Sequence, residues 1–509
     1  MPAPIDIQIS GLGKCKLYIK ITSPAPPKWA SLFDDYLDVR TLAVPGVSAA
    51  LFLKSRNRCF VLTFGQGGRF LLKDDVWEDR FGLHTALNSL DPKSFRCIDV
   101  QSLDAIQSHT RIQSGEETTS DQFGLDIEQD MLKAIVGAPL NPALGTRMTG
   151  GDALHVSVKM DLSDLAFLLD EYRKKFEADL SEENYQWVHN ISAVKSTALI
   201  TELEATLDAR LATKQFKGTW LSIPEIIDWT VVKGFMYTNG GSAIYPDVNF
   251  ESFLKTIKSG TPLTVSLLRQ RKVMCADSDH KPVFKSWSAF KCLYAEVDLD
   301  GDKYVLNDGR WFSVATDFVK KTDGDFGKIP QSKLNLPEYK GNGEGAYNAS
   351  VAAAEPAKYA LLDDKHKVMH GGGHGQVEVC DLLSMDRELI HVKIYSKSSV
   401  ISHLFAQGFV SGQLIQVDAE FRKKVIAKLK GPFAKLLEVQ AKPAQDQFTV
   451  VYAVISDVPG KLYLPFFSRV NLNNTTKVLR GFGYKVELLK ISWDSTHAKT
   501  AVIPPKKNA

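Results

Sequence analysis

Glu388-Leu389-Ile390-His391-Val392-Lys393-Ile394-Tyr395 alternates with period two, the pattern of a strand whose successive side chains point to opposite faces. Ile390, Val392 and Ile394 turn one way, into a core. Leu389, His391, Lys393 and Tyr395 turn the other way, so His391 and Lys393 share a face about 7 Å apart along the strand. A preceding strand over 376–383 contains Glu378-Val379-Cys380-Asp381, which places Asp381 beside it as an antiparallel neighbour. A carboxylate, an imidazole and an ammonium are expected to converge, with Glu378 as the substitute acid if the register slips by a residue.

The same pattern extends on both sides. An alanine-rich helix over 347–355 is stopped by Pro356. Strands over 359–362 and 367–369 flank 363–366 as a hairpin. His370-Gly371-Gly372-Gly373-His374-Gly375 then reads as a turn, whose histidines are more often solvated than metal-bound. After the central strand, a helix runs from 399 to about 414, with Val400, Leu404, Phe405, Phe409 and Val410 as its core stripe. A strand over 448–455 completes the sheet. Between them, Phe421, Val425, Ile426 and Leu429 make the apolar stripe of a helix over 421–435. Its other face gathers Arg422, Lys423, Lys424, Lys428, Lys430 and Lys435. Such a face suits a phosphate backbone, and plain solvent exposure explains it equally well.

Residues 1–100 are strand-rich, with strands over 17–21, 49–53, 59–64 and 69–72 and turns at Arg56-Asn57 and 65–68. The polar stretch 102–120 reads as a loop carrying Arg111 and Gln113, which can meet a phosphate, a base or only water. Residues 126–136 read as a short amphipathic helix. From about 150 come a strand over 153–158, helices over 161–180 and 194–212, and a hairpin around Asp300-Gly301, a favoured two-residue turn. Asp298, Asp300 and Asp302 do not make a calcium loop, because the glycine is misplaced and the bidentate acid is missing. Residues 320–345, rich in Gly, Lys, Asp and Pro, read as a linker. The expectation is an α+β chain of three domains: a β-rich part over 1–149, an α+β part over 150–335 and a C-terminal domain over 336–509.

Composition narrows the class further. The 509 residues are 44% hydrophobic and 24% charged, enough apolar residue for several cores and unlike a disordered chain. A net charge of +3 does not by itself point to a polyanion partner. Six cysteines are scattered singly with no CxxC pair, which argues against a structural zinc site and fits a reduced cytoplasm. The start has no charged region followed by an apolar one, and no apolar run approaches the ~18 residues of a membrane span. A soluble cytoplasmic protein without a membrane role is expected. A kinase is disfavoured: the helix after Lys393 offers no glutamate to pair with it, and no H-R-D or D-F-G sequence follows.

The order helix, strand, strand with Asp381, strand with Lys393, helix resembles the core of the PD-(D/E)xK restriction-endonuclease-like superfamily. The resemblance covers 344–460. It implies that Asp381 binds a metal ion, that Lys393 orients or deprotonates the attacking water, and that Glu344 is the helix-borne acid some members use. Gln407 resembles the glutamine that some branches place on the following helix. His391 stands where the family has a carboxylate. Imidazole is a poor Mg²⁺ ligand and suits Mn²⁺ or Zn²⁺ better; it can also serve as a general base, or mark lost catalysis. The implied cofactor is Mg²⁺ or Mn²⁺, and the implied partner is nucleic acid, DNA ahead of RNA.

Phe81-Gly82-Leu83-His84-Thr85-Ala86-Leu87-Asn88, Thr110-Arg111-Ile112-Gln113, Phe123-Gly124-Leu125-Asp126, Ile390-His391-Val392-Lys393 and Ser399 through Gly408 resemble a sporadically distributed bacterial family of unknown function and about this length. Its patchy occurrence implies mobile elements or antiphage defence. Two function classes follow: a metal-dependent nuclease or its degenerate descendant, and a non-catalytic nucleic-acid-binding or sensor protein of a defence system. A protein partner or a homo-oligomer is compatible with both.

Overall fold

The computed structural model describes residues 3–493, except 66–71, 73–77, 79, 103–108, 124–129, 181–184, 186–187, 189, 226, 228, 230–231, 239–242, 277–281, 364–366, 371–375 and 396–397. Residues 66–68 of the expected turn at 65–68, most of the strand at 69–72, and His374 and its glycines lie outside the described residues. The fold is α+β. The chain gathers into two compact units, one of Met1–Val100, Thr110–Leu125 and Leu132–Gln186, the other of Gln101–His109, Asp126–Met131 and Trp187–Ala509. The sequence boundary at 149/150 falls at the end of the strand Arg147–Gly150, inside one sheet, and 335/336 falls inside the second unit.

The first unit opens on an antiparallel meander of Ile5–Ile9, Gly13–Ile21, Val47–Ser55 and Arg58–Phe64. Arg56, at φ 54°, makes the expected tight turn. Ile9, Cys15, Leu51 and Leu53 bury one face of this sheet against Leu165 and Leu169 of the helix Leu165–Glu177. A five-stranded sheet follows in the order His109–Thr118, Phe95–Ser102, Asp130–Gly137, Arg147–Gly150, Leu154–Ser157. Two expectations are corrected here. Much of the supposed loop at 102–120 is a strand, polar because it lies at the sheet edge. The supposed helix at 126–136 is the strand Asp130–Gly137, because Ile135, Val136 and Gly137 pair with Gly150, Thr149 and Met148. Helix Phe81–Leu87 lies directly on this sheet: a Cβ on Gly82 would stand 2.0 Å from the carbonyl oxygen of Ala153. Only glycine permits that approach.

The second unit starts with an antiparallel sheet in the order Ile191–Ala193, Arg310–Val314, Asp302–Asn307, Leu293–Leu299, Thr219–Leu221. Asp300 and Gly301, at φ 52° and 87°, turn its hairpin as expected. Lys303 answers Asp298 at 2.5 Å across that hairpin, an ion pair in place of a calcium loop. The expected linker at 320–345 is structured. It contains most of the helix Thr316–Gly327, and Gln331 and Tyr339 then bridge to Leu488 and Trp493.

The last sheet carries the candidate site. Its elements are α1 (Glu344–Ala354), β1 (Tyr359–Leu361), β2 (Leu382–Ser384), β3 (Glu388–Ile394), α2 (Ser398–Val417), α3 (Ala419–Lys428), β4 (Thr449–Ser456), α4 (Phe466–Gly481) and β5 (Lys485–Ser492). The sheet order is β1-β2-β3-β4-β5, antiparallel through β3 and parallel from β3 to β5. The hairpin expected between 359–362 and 367–369 does not form. β1 pairs with β2, and Val368–Met369 pairs with Gln376–Val377. Leu389, Tyr452 and Val454 face α2 with Ile401, Leu404 and Phe405. Ile390, Val392 and Val451 face α1 with Tyr347 and Val351. Both faces are therefore covered, which is why β4 reads as an unbroken apolar run.

Candidate active site

β3 is bonded along its whole length to β4, residue Glu388 to Thr449 through Ile394 to Ile455. On its other edge, β2 reaches only Leu389 and Ile390. Beyond that point two carboxylates replace the missing strand. Oδ2 of Asp381 accepts the backbone N–H of Val392 at 2.7 Å, and Oε1 of Glu344 accepts that of Ile394 at 2.9 Å. Lys393 Nζ donates to Oε2 of Glu344 at 2.8 Å. The amide of Asn348 donates to Oδ1 of Asp381 at 2.8 Å. Across the cluster, Gln407 Nε2 donates to Oε2 of Glu378 at 3.2 Å.

Glu344, Asp381 and Lys393 are thus brought together, and Gln407 reaches the cluster through Glu378. Asn348 was not singled out by its sequence context, although it stands four residues after Glu344 on the same helical face. Asp381 is buried, and its carboxyl is pushed up to about 7. Burial is the largest cause. The Val392 N–H and the Lys393 ammonium oppose it, and the negative charges of Glu378 and Glu344 add to it. A proton can therefore be held or released at Asp381 near neutrality, where acid–base chemistry is most effective.

His391 does not join this cluster. It does share the α2 side of the sheet with Leu389, as alternation requires, but α2 covers that side. The ring is 1% exposed, 3.5 Å from Ser411 Oγ, with its centroid 6.1 Å from that of Tyr452. Burial pushes its pKa down to about 3, so it is a neutral core imidazole. Lys393, two residues nearer the end of the strand, donates to Glu344 instead.

The expected basic face is also redrawn. Arg422 is buried, donating to the carbonyls of Ile415 at 2.8 Å, Val439 at 3.1 Å and Glu438 at 3.2 Å. α3 ends at Lys428, so Lys430 and Lys435 lie beyond it. Lys423, Lys424 and Lys428 remain exposed, Lys424 donating to the Met369 carbonyl at 2.8 Å. Arg111 sits in a strand, not a loop, and holds Asp99 through two bonds of 2.6 and 2.5 Å.

Mg²⁺ and Mn²⁺ require several oxygen ligands. Both oxygens of Asp381 and both of Glu344 already accept protein N–H groups. Among the described residues, no three His, Cys, Asp or Glu side chains are grouped to hold an ion. The side chains as folded do not fit a resident divalent metal.

Fold and site define an α+β protein whose last sheet ends in a carboxylate–lysine cluster, with Asp381 buried and Glu344 and Lys393 partly exposed. The chain belongs to a family of unknown function (DUF6119), whose model matches residues 4–492. No curated protein and no solved structure matches it. Among the described residues no helix is long and apolar enough to cross a membrane.

Proposed function

We propose that the last sheet is a restriction-endonuclease-like core of degenerate kind, and that the chain is a cytoplasmic nucleic-acid-binding protein of bacterial antiphage or mobile-element defence. One observation carries this reading. The acid on α1, the acid before β2 and the lysine on β3 adjoin, yet every oxygen of the two acids is taken by a protein N–H. This supports reading the cluster as a PD-(D/E)xK-like site with its ligand positions closed, and with His391 withdrawn into the core. The exposed lysines of α3 supply charge for a phosphate backbone, DNA ahead of RNA, and such binding weakens steeply with salt.

A second reading, an active metal-dependent nuclease, is favoured by the charge balance. Burial first, and then the negative charges of Glu378 and Glu344 against the opposing Val392 N–H and Lys393 ammonium, push Asp381 up to about 7. A divalent cation would relieve that excess of negative charge, and to take it Asp381 and Glu344 would have to exchange protein donors they now hold.

The test is incubation of the full chain with labelled single- and double-stranded DNA and RNA in Mg²⁺, Mn²⁺ or EDTA, beside Asp381→Asn and Lys393→Ala. The degenerate reading expects salt-sensitive binding without cleavage. Metal-dependent cleavage that disappears in both variants replaces it with the active nuclease. Neither binding nor cleavage overturns both readings.

A further inference from the structure

The five-stranded sheet of the first unit has one face packed and one face open. Ile98 and Met148 are buried on the packed side. Their immediate neighbours in the strands, Cys97 and Asp99, and Arg147 and Thr149, line a cleft of about 590 Å³ on the other side, together with Arg111, Gln113 and Arg96. Pockets of about 300–1,000 Å³ are the size that small molecules occupy.

Three guanidinium groups meet this cleft, and they differ in how they are held. Arg111 is locked on Asp99 by two bonds. Arg96 donates to the Gly115 carbonyl at 2.6 Å and lies 3.6 Å from Glu117. Arg147 is only partly exposed, and among the described residues no acceptor is bonded to it. A guanidinium drawn partly out of water without an anion is costly, and its planar fork matches an oxyanion in two-point contact. Arg96 and Arg111, already oriented by their own partners, lose little freedom when a ligand arrives. Among the described residues no aromatic ring lines the cleft, and these residues offer no stacking platform of the kind on which single-stranded nucleic acid is usually laid. Gln113 and Thr149 offer neutral hydrogen-bonding groups beside the arginines.

We propose that this cleft binds a small phosphorylated ligand of nucleotide size, its phosphate on Arg147 and its polar groups on Gln113 and Thr149. This site is independent of the carboxylate–lysine cluster and does not rest on the nucleic-acid reading.

The test is calorimetric titration of the full chain with inorganic phosphate, AMP, ATP and a short single-stranded oligonucleotide. Arg147→Ala, Arg147→Lys and Lys393→Ala run beside it, each checked for folding by circular dichroism. The expected result is nucleotide binding that weakens about tenfold or more in Arg147→Ala, the loss of a two-point charged contact. Arg147→Lys should recover only part, and Lys393→Ala should leave binding unchanged. Should Arg147→Ala fail to fold, Gln113→Leu and Thr149→Val carry the test, with weaker binding expected in each and unaltered binding in both counting against the site. Three results overturn the proposal: no binding of phosphate or nucleotide, binding indifferent to residue 147, or an oligonucleotide that binds there more tightly than the mononucleotides.

Discussion

Val392 donates its backbone N–H to the carboxylate of Asp381 at 2.7 Å, at a point on β3 that β2 has already left. A side chain thereby takes the place of a strand. Glu344 repeats the substitution two residues on, at Ile394. The cluster is therefore structural before it is anything else, and its members have stability roles that can be measured apart from any activity.

Asp381→Ala should cost about 2–4 kcal/mol, because it strands the buried Val392 N–H and the Asn348 amide without an acceptor. Asp381→Asn should cost less than about 1 kcal/mol. It keeps an oxygen for Val392, and its new amide finds an acceptor once the Asn348 amide turns over to present its side-chain oxygen, which is buried without a partner. Denaturant midpoints at neutral pH distinguish the two variants, and equal losses would remove the acceptor role assigned to Asp381.

Asp381 and His391 should pull stability in opposite directions with pH. Asp381 titrates near 7 when folded and near 3.9 when unfolded. The stability it adds is complete below about 4 and is lost as pH rises through about 7. His391 titrates near 3 when folded and near 6.5 when unfolded. Its stability is complete above about 6.5 and is lost as pH falls toward about 3. Between about 4 and 6.5 the two slopes, each up to roughly 1.4 kcal/mol per pH unit, nearly cancel. His391→Gln removes one of them, so its stability relative to the native chain should climb as pH falls through that window. Chemical denaturation across the window checks this, and a pH-independent difference would contradict a buried neutral imidazole.

Local patterns are legible in this sequence where the residues that set them are close together. The Asp300-Gly301 turn follows from two residues that accept positive φ. The alternation of β3 follows from its apolar residues, and the nearness of Asp381 to it follows from a short connection. What a distant partner decides is not legible. Met131, Leu132, Ile135 and Val136 fit a helical stripe as well as a strand, and only pairing with Arg147–Gly150 selects the strand. The period of β3 places His391 and Lys393 on one side, and nothing in that period says that α2 covers the first and leaves the second. Arg422 is one of six cations over 422–435. Its burial depends on carbonyls at Glu438 and Val439, on a segment beyond the helix.

The cations of α3 should separate into two behaviours. Arg422→Ala should destabilise by about 3 kcal/mol, since several buried carbonyls lose a charged donor. Arg422→Lys should recover only part, lacking the fork that reaches them. Lys423→Ala and Lys428→Ala should change stability by less than about 0.5 kcal/mol. If nucleic acid lies on this helix, each should lower the salt dependence of binding by about one unit of slope. Thermal melts and binding at several salt concentrations read both effects, and a slope that neither lysine alters would place the phosphate backbone elsewhere.

Gly408 sets how closely α2 approaches the sheet. A Cβ there would lie 2.6 Å from the Tyr452 ring and 2.7 Å from its hydroxyl. Tyr452 cannot retreat easily. It is fully buried, its hydroxyl donates to the Phe405 carbonyl at 3.1 Å, and its ring meets Phe405 edge-on with centroids 5.2 Å apart. Gly408→Ala should therefore cost about 1–3 kcal/mol, although alanine in a helix is ordinarily the better residue by about 1 kcal/mol. Because Gln407 is the adjacent residue, the same displacement should loosen its bond to Glu378. In a Tyr452→Val background the clash is gone, and Gly408→Ala should become neutral or stabilising. A double-mutant cycle measured by denaturation gives the coupling, expected above about 1 kcal/mol for residues in direct contact. A coupling near zero would mean that α2 is held at its distance by something other than this pair.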